Sequence, residues 1–247
     1  MILAIDFGSS TTNAVLVEKG KVVKTTSDKK EIQKLLKEDI NQIKVTGQGA
    51  ANFLKYPFKK IDEIKAIGKG GLHTAKKKTA LVVSIGSGTA MVSCKRTIKH
   101  IGGTPIGGRT LTGLAKLLIN ETNLEKIGSL VKKGNPEKID LTLKEIYPKG
   151  IGILPKTATA SHFGNIKKHD KNDIALALLN MLAQSIATIA VFAAKAESHK
   201  NIIITGAVTK LPLFRSIIRK RISTLSNLNI IFPKNAEYAT AIGAAIS

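Results

Sequence analysis

The sequence contains no tryptophan, one cysteine and only 4% aromatic residues, and its 17 acidic side chains are outnumbered by 39 basic ones. Each shortage excludes something. The lone Cys94 cannot close an intrachain disulfide or build a four-cysteine metal site. It stands in the alternating run TALVVSIGSGTAMVSC, where a buried packing role is expected. Scarce rings, and lysine in excess of arginine, argue against a nucleic-acid reader, whose surfaces use arginine forks for bases and exposed rings for stacking. The formal charge of +22 attracts polyanions without identifying one. No basic segment or long apolar stretch precedes the first strand, MILAIDFGSS, so a cytoplasmic protein is expected. The apolar segment Ile174 to Ala196 is interrupted by Asn180, Gln184, Ser185, Thr188 and Lys195. Unsatisfied amides are costly in lipid, so it reads as a core or dimer-interface helix and no membrane span is expected. His73, His162, His169 and His199 lack the close pairing of a zinc-bearing helix, and neither a Walker-type Gly-Lys-Ser loop nor a serine nucleophile elbow is present.

What is present reads as a repeated α/β pattern. Strands at Ile2 to Asp6, Asn13 to Glu18 and Lys21 to Thr25, with a tight Lys19-Gly20 turn, precede a helix capped by Asp28. A strand at Gln42 to Thr46 and a helix from about Ile61 to Thr74 complete a βββαβα unit. The order begins again at Thr79, with strands near 80–85, 89–94 and 96–101, a glycine-rich loop and a helix from Arg109 to Asn120. Asp6-Phe7-Gly8-Ser9-Ser10-Thr11 aligns with Ser84-Ile85-Gly86-Ser87-Gly88-Thr89, which predicts an internal duplication. The expected lobes are 1–77 and 78–247, the second carrying a helical insertion at about 122–155. Beyond it come a helix at 171–197, a strand at Asn201 to Thr205, a helix at Leu211 to Leu225, a strand at Asn229 to Phe232, and a C-terminal helix, Glu237 to Ile246, returning toward the first lobe.

Two Gly- and hydroxyl-rich turns, one opening each lobe, suit nucleotide phosphates: glycines admit the phosphate to the backbone amides, and hydroxyls add donors. The first, Asp6 to Thr12, predicts contacts from Asp6, Gly8, Ser9, Ser10, Thr11 and Thr12, with Asp6 as the Mg²⁺ ligand; the second predicts Ser87, Gly88 and Thr89. The third loop, Gly102 to Gly108, leads into a helix whose N-terminal amides would face an anion, which adds Gly107, Gly108 and Thr110.

These segments occur in order along nearly the whole chain, and together they resemble the type II pantothenate kinases. HIGGTPIGGRTLTGLAKLL is similar to that family's Gly-Gly-Thr-x-x-Gly-Gly-Gly-Thr segment, IDFGSSTT and SIGSGTAM to its phosphate turns, and ATASHFGNI to its Ala-Ser-x-Phe-Gly stretch. IIITGAV and EYATAIGAAI are similar to its adenosine-side elements. The resemblance implies a duplicated actin-like ATPase (ribonuclease H-like) fold, two lobes around a nucleotide cleft, and a homodimer through helix 171–197. It implies ATP-dependent, Mg²⁺-assisted phosphorylation of pantothenate in coenzyme A synthesis, with Leu124 and Ala207 among the nucleotide contacts. Glu63 in KKIDEIKAIGKGGL stands where the family carries its catalytic glutamate. His100 falls at the family's substrate-contacting arginine and Arg109 completes its glycine triplet, so both are candidate pantothenate contacts; Asn13 stands where a lysine is common. Two other readings compete. One is a kinase of the same superfamily acting on a sugar or acetylated sugar; the other is an ATP-binding regulator without catalysis. A dehydratase activase would need cysteines for an iron–sulfur cluster.

Overall fold

The computed structural model describes residues 1–49 and 55–247. The first alternating segment forms β1 (Ile2–Phe7), β2 (Thr12–Glu18) and β3 (Lys21–Thr26), an antiparallel meander. Lys19 and Gly20 both take positive φ, 46° and 76°, which gives the hairpin the twist its strands require. Asp28 caps α1 (Lys29–Leu35) by accepting from the amides of Lys30 and Glu31. β4 (Gln42–Gly47) runs parallel to β1, and β5 (Lys59–Lys60) pairs with β4 to complete the order β3-β2-β1-β4-β5. The sequence reading missed β5, because two exposed lysines carry no apolar alternation.

After α2 (Glu63–Ala75), the second sheet is built from β6 (Ala80–Ile85), β7 (Thr89–Cys94) and β8 (Ile98–Thr104). Downstream lie α3 (Gly108–Ile119), α4 (Leu124–Val131), β9 (Leu141–Thr142), β10 (Thr159–Ser161), α5 (Lys171–Ala196) and β11 (Asn201–Thr205). The chain ends with α6 (Pro212–Leu225), β12 (Asn229–Ile231) and α7 (Ala239–Ala245). The second sheet has the order β8-β7-β6-β11-β12. Exchanging β1, β2, β3, β4 and β5 for β6, β7, β8, β11 and β12 reproduces the first sheet, so the duplication seen in the turns extends to the topology.

Three expectations are corrected. The glycine-rich segment is strand rather than loop as far as Thr104, with Ile101 as the extra residue of a bulge in the pairing to β7. The 122–155 segment is helical only over α4 and two 3₁₀ turns, Pro136–Lys138 and Leu143–Glu145. Its turn signals, Gly134-Asn135-Pro136 and Pro148-Lys149-Gly150, break longer helices. The last helix begins at Ala239, after a 3₁₀ turn over Ala236–Tyr238.

α5 is long and apolar enough to cross a bilayer, but 67% of its most apolar stretch is buried inside the protein. It is the central helix of the larger core, packing Leu178, Leu182 and Ile186 beside Phe214 of α6 and Leu81 of β6. Asp170 caps it, and the buried Asp173 accepts from Asn135 N at 2.8 Å and Lys138 Nζ at 3.0 Å. α2 and α7 cross between the sheets at almost bare backbone. A Cβ on Gly70 would lie 1.8 Å from the Ala239 carbonyl oxygen, and one on Gly243 would lie 1.8 Å from that of Ala66. Lys44, buried in β4, donates to Ala245 O at 2.7 Å and sets its charge at the negative end of α7.

Candidate active site

In a parallel pair, both strands end on the same sheet edge. β1 and β4, and likewise β6 and β11, therefore deliver the loops after Phe7, Gly47, Ile85 and Thr205 to one side of their sheets. Between those edges is a cleft of about 1180 Å³. It is lined by the first turn from Asp6 through Asn13, by Ser87, Gly88 and Thr89, and by Glu63, His100, Gly108, Arg109, Leu124 and Ala207. The fold thus gathers most of the residues singled out in the sequence from positions 200 residues apart.

The two turns meet at hydroxyls: Ser9 Oγ and Ser10 Oγ both reach Ser87 Oγ, the latter at 3.2 Å. Asp6, at the end of β1, is desolvated and faces Glu63, the first residue of α2. Burial first, and the neighbouring Glu63 charge second, raise the Asp6 carboxyl to about 7. A carboxylate disfavoured in this way fits a cationic partner in the cleft. Glu63 is exposed to the cleft, and Asp62 holds its helix start by accepting from Lys65 N at 2.8 Å.

Several residues have other duties. Gly107 and Thr110 do not line the cleft. Gly107 is buried under the second turn, where a Cβ would lie 2.4 Å from Ser87 O. Thr110 Oγ1 accepts from Gly107 N and donates to Pro105 O, each at 3.1 Å. The first amides of α3 are likewise spent on the second turn: Gly108 N donates to Gly86 O at 2.8 Å and Arg109 N to Ser87 O at 3.3 Å. Thr89 Oγ1 donates to Ile106 O at 2.8 Å. The third segment therefore buttresses the second turn, while Arg109 turns its side chain into the cleft. Asn13 joins the two halves of the chain, donating to Glu237 O at 3.2 Å and accepting from Ser27 Oγ at 2.7 Å.

The cleft also includes Lys29, Gln48, Thr112, Thr122, Glu237 and Thr240, which were not anticipated as site residues. Lys29 was findable in principle: it follows β3, which is antiparallel to β2 and so ends on the same edge as the first turn.

Two opposed phosphate-type turns at the ends of duplicated sheets, with a carboxylate pair between them, define a two-lobed actin-like ATPase fold with a phosphoryl-transfer type of cleft. The activator of a 2-hydroxyisocaproyl-CoA dehydratase from Clostridium difficile superposes with a TM-score of 0.68 at 19% identity, covering 99% of this chain and 92% of its own. A ROK-family glucokinase from Streptomyces griseus superposes with a TM-score of 0.63 at 12% identity, covering 99% of this chain and 98% of its own. At these identities the likeness is of fold. The type II pantothenate kinase of Oceanobacillus iheyensis is 30% identical, covering 99% of this chain and 98% of its own. That of Bacillus cereus strain AH820 is 25% identical over 99% and 96%. The Fumble family matches residues 76–247. The chain belongs to this family, that of the type II pantothenate kinases. Cys94 is fully buried in β7, and burial pushes its thiol up to about 12.

Proposed function

We propose that this protein is an ATP-dependent kinase that phosphorylates pantothenate to 4′-phosphopantothenate, the first step of coenzyme A biosynthesis. The observation that carries this reading is the Asp6–Glu63 carboxylate pair, set in one cleft between two Ser/Gly turns that touch through their hydroxyls. Nucleotide phosphates would lie along the turns, with Gly8, Gly88 and the Ser9, Ser10, Thr11 and Ser87 hydroxyls as donors. The adenosine would rest against Leu124 and Ala207. Asp6 would hold Mg²⁺, directly or through water, and the ion would neutralise phosphate charge. Glu63 accepts the proton of the pantothenate primary hydroxyl as that oxygen forms its bond to the γ-phosphorus. The bond to the bridging oxygen breaks, and ADP leaves with the electron pair. His100 and Arg109, on the acceptor side, would orient pantothenate through its carboxylate and amide. The test is direct: purified protein, ATP, Mg²⁺ and pantothenate, with phosphorylated product followed by mass. Absence of product, with ATP binding intact, would discard pantothenate as the acceptor.

The Asp6 environment sets the sign of a pH effect. Its carboxyl titrates near 7 in the folded chain and near 3.8 when unfolded. Its contribution to stability is therefore fully present below the unfolded value and is lost as pH rises through about 7. Asp6→Asn removes this slope, so the nucleotide-free variant should melt above wild type at pH 8 while losing activity. Equal melting temperatures at pH 8, measured calorimetrically, would contradict the desolvation of Asp6.

We also place the protein in the cytoplasm as a homodimer. α3 and α5 pack together and leave an apolar face, with Leu117 77%, Phe192 62% and Leu118 47% exposed. Burying that face against a second copy would remove it from water. Phe192→Glu should shift the sedimentation coefficient from dimer to monomer; wild-type protein sedimenting as a monomer would remove the dimer.

A further inference from the structure

A second cavity, of about 500 Å³, shares no lining residue with the cleft. It lies where the segments 136–142 and 155–159 cover α5 and α6. Leu176, Leu213 and Ile217 give it an apolar side, and Asp140, Asn180 and Gln184 give it a polar one. Ala158 and Thr159 in its wall belong to the ATASHFGNI stretch, none of whose residues lines the cleft.

The charges around this cavity are unequally satisfied. Asp140 is 1% exposed and fully engaged: Oδ1 accepts from Phe163 N at 3.0 Å, and Oδ2 from Asn180 Nδ2 at 2.7 Å, with His162 Nδ1 3.2 Å away. Glu137, the other acid in the wall, is paired with Lys144. The two cations have no such partner. Arg221 donates through Nε to Thr188 Oγ1 at 3.1 Å, and among the described residues no carboxylate pairs with Arg221 or Lys220. Arg221 is half-buried, and burial lowers its pKa. A partly desolvated guanidinium without a carboxylate partner is well matched by a bidentate oxyanion. The acids of the wall are thus paired while its two cations lack a carboxylate, beside an apolar wall, in a volume within the range of small-molecule sites.

We infer that this cavity is a second binding site, separate from the cleft, for a small organic anion with one carboxylate or phosphoryl head held by Arg221 and Lys220 and an apolar body set against Leu213 and Ile217. The inference does not depend on the acceptor proposed for the cleft.

Calorimetric titration of the whole chain tests it, in physiological salt, with the cleft kept filled by a saturating non-hydrolysable ATP analogue. The probes are phenyl phosphate, benzoate and benzyl alcohol. One anionic probe should bind with single-site stoichiometry, and the alcohol about 10-fold more weakly or worse, since a hydrogen-bonded charge is lost. Preference for phenyl phosphate assigns a phosphoryl head and preference for benzoate a carboxylate. Arg221→Gln should weaken the anion about 10-fold, Arg221→Lys should recover part of that, and Ile217→Trp should block binding by filling the cavity with Arg221 still present. Nucleotide affinity, unchanged in each variant, serves as the control for folding. Anion binding that survives both Arg221→Gln and Ile217→Trp overturns the inference, as does failure of wild type to bind either anion.

Discussion

Replacing Glu63 by glutamine should lower the turnover of pantothenate about 100-fold or more while leaving nucleotide affinity near that of wild type. Glutamine preserves the size and hydrogen-bonding reach of the side chain but cannot accept the hydroxyl proton. The substitution also removes the charge that helps raise the Asp6 carboxyl, so Asp6 should titrate lower in the variant. This separates two roles open to an acid at the cleft. A proton acceptor shows its loss in kcat, whereas a residue that only binds substrate shows it in KM. Single-turnover measurement with saturating ATP and pantothenate distinguishes them. A Glu63→Gln protein that turns over at the wild-type rate would leave the kinase intact and remove Glu63 as base.

What the sequence made legible was what residue type and order encode locally. Asp6, Ser9, Ser10 and Ser87 stand at strand ends in glycine-rich turns, and this pattern survives folding because a turn leaving a strand has few directions to take. The duplication was visible in the two matching turns, although only the identical sheet orders show that it includes β11 and β12, which lie more than 100 residues beyond β6. Gly107 and Thr110 looked like phosphate ligands because a glycine before a helix usually presents free amides. Gly107 instead lies against the carbonyls of the second turn, a contact made across about 20 residues and invisible to spacing, and Thr110 is spent within its own segment on Gly107 N and Pro105 O. Asn13 likewise looked like a weakened phosphate contact, and its partner in the fold, Glu237 O, is at the other end of the chain. Lys29 was passed over because a lysine at the start of a helix is ordinarily solvated. Only the antiparallel pairing of β3 and β2 brings it to the cleft.

The largest structural effect should come from the smallest addition. Gly70→Ala places a methyl group where the Ala239 carbonyl oxygen already lies, 1.8 Å from the new carbon. The obstacle is backbone, so no rotamer change relieves it, and α2 and α7 must move apart. Overpacking ordinarily costs about 1–3 kcal/mol, and a backbone clash this close belongs at or beyond the upper end. For a chain of this size, about 3 kcal/mol corresponds to a fall in Tm of roughly 6–12 °C. Gly243→Ala should behave alike, because its methyl would meet Ala66 O from the other side of the same crossing. Gly113 provides the opposite case: it is an exposed residue within α3 whose added Cβ meets nothing within 4 Å. Gly113→Ala should therefore raise stability by about 0.5–1 kcal/mol through lower unfolded-chain entropy and better helix propensity. The crossing also has a catalytic consequence, because α2 carries Glu63 at its first residue. Separation at Gly70 moves that carboxylate relative to Asp6, which is fixed in β1, and a displacement near 1 Å can cost about 100-fold in rate. Gly70→Ala should thus lose activity even at temperatures where it remains folded, whereas Gly113→Ala should keep it. Thermal melts and kcat measured on the three variants together decide the matter: a Gly70→Ala protein that melts and turns over like wild type would mean that the two helices do not cross at these glycines.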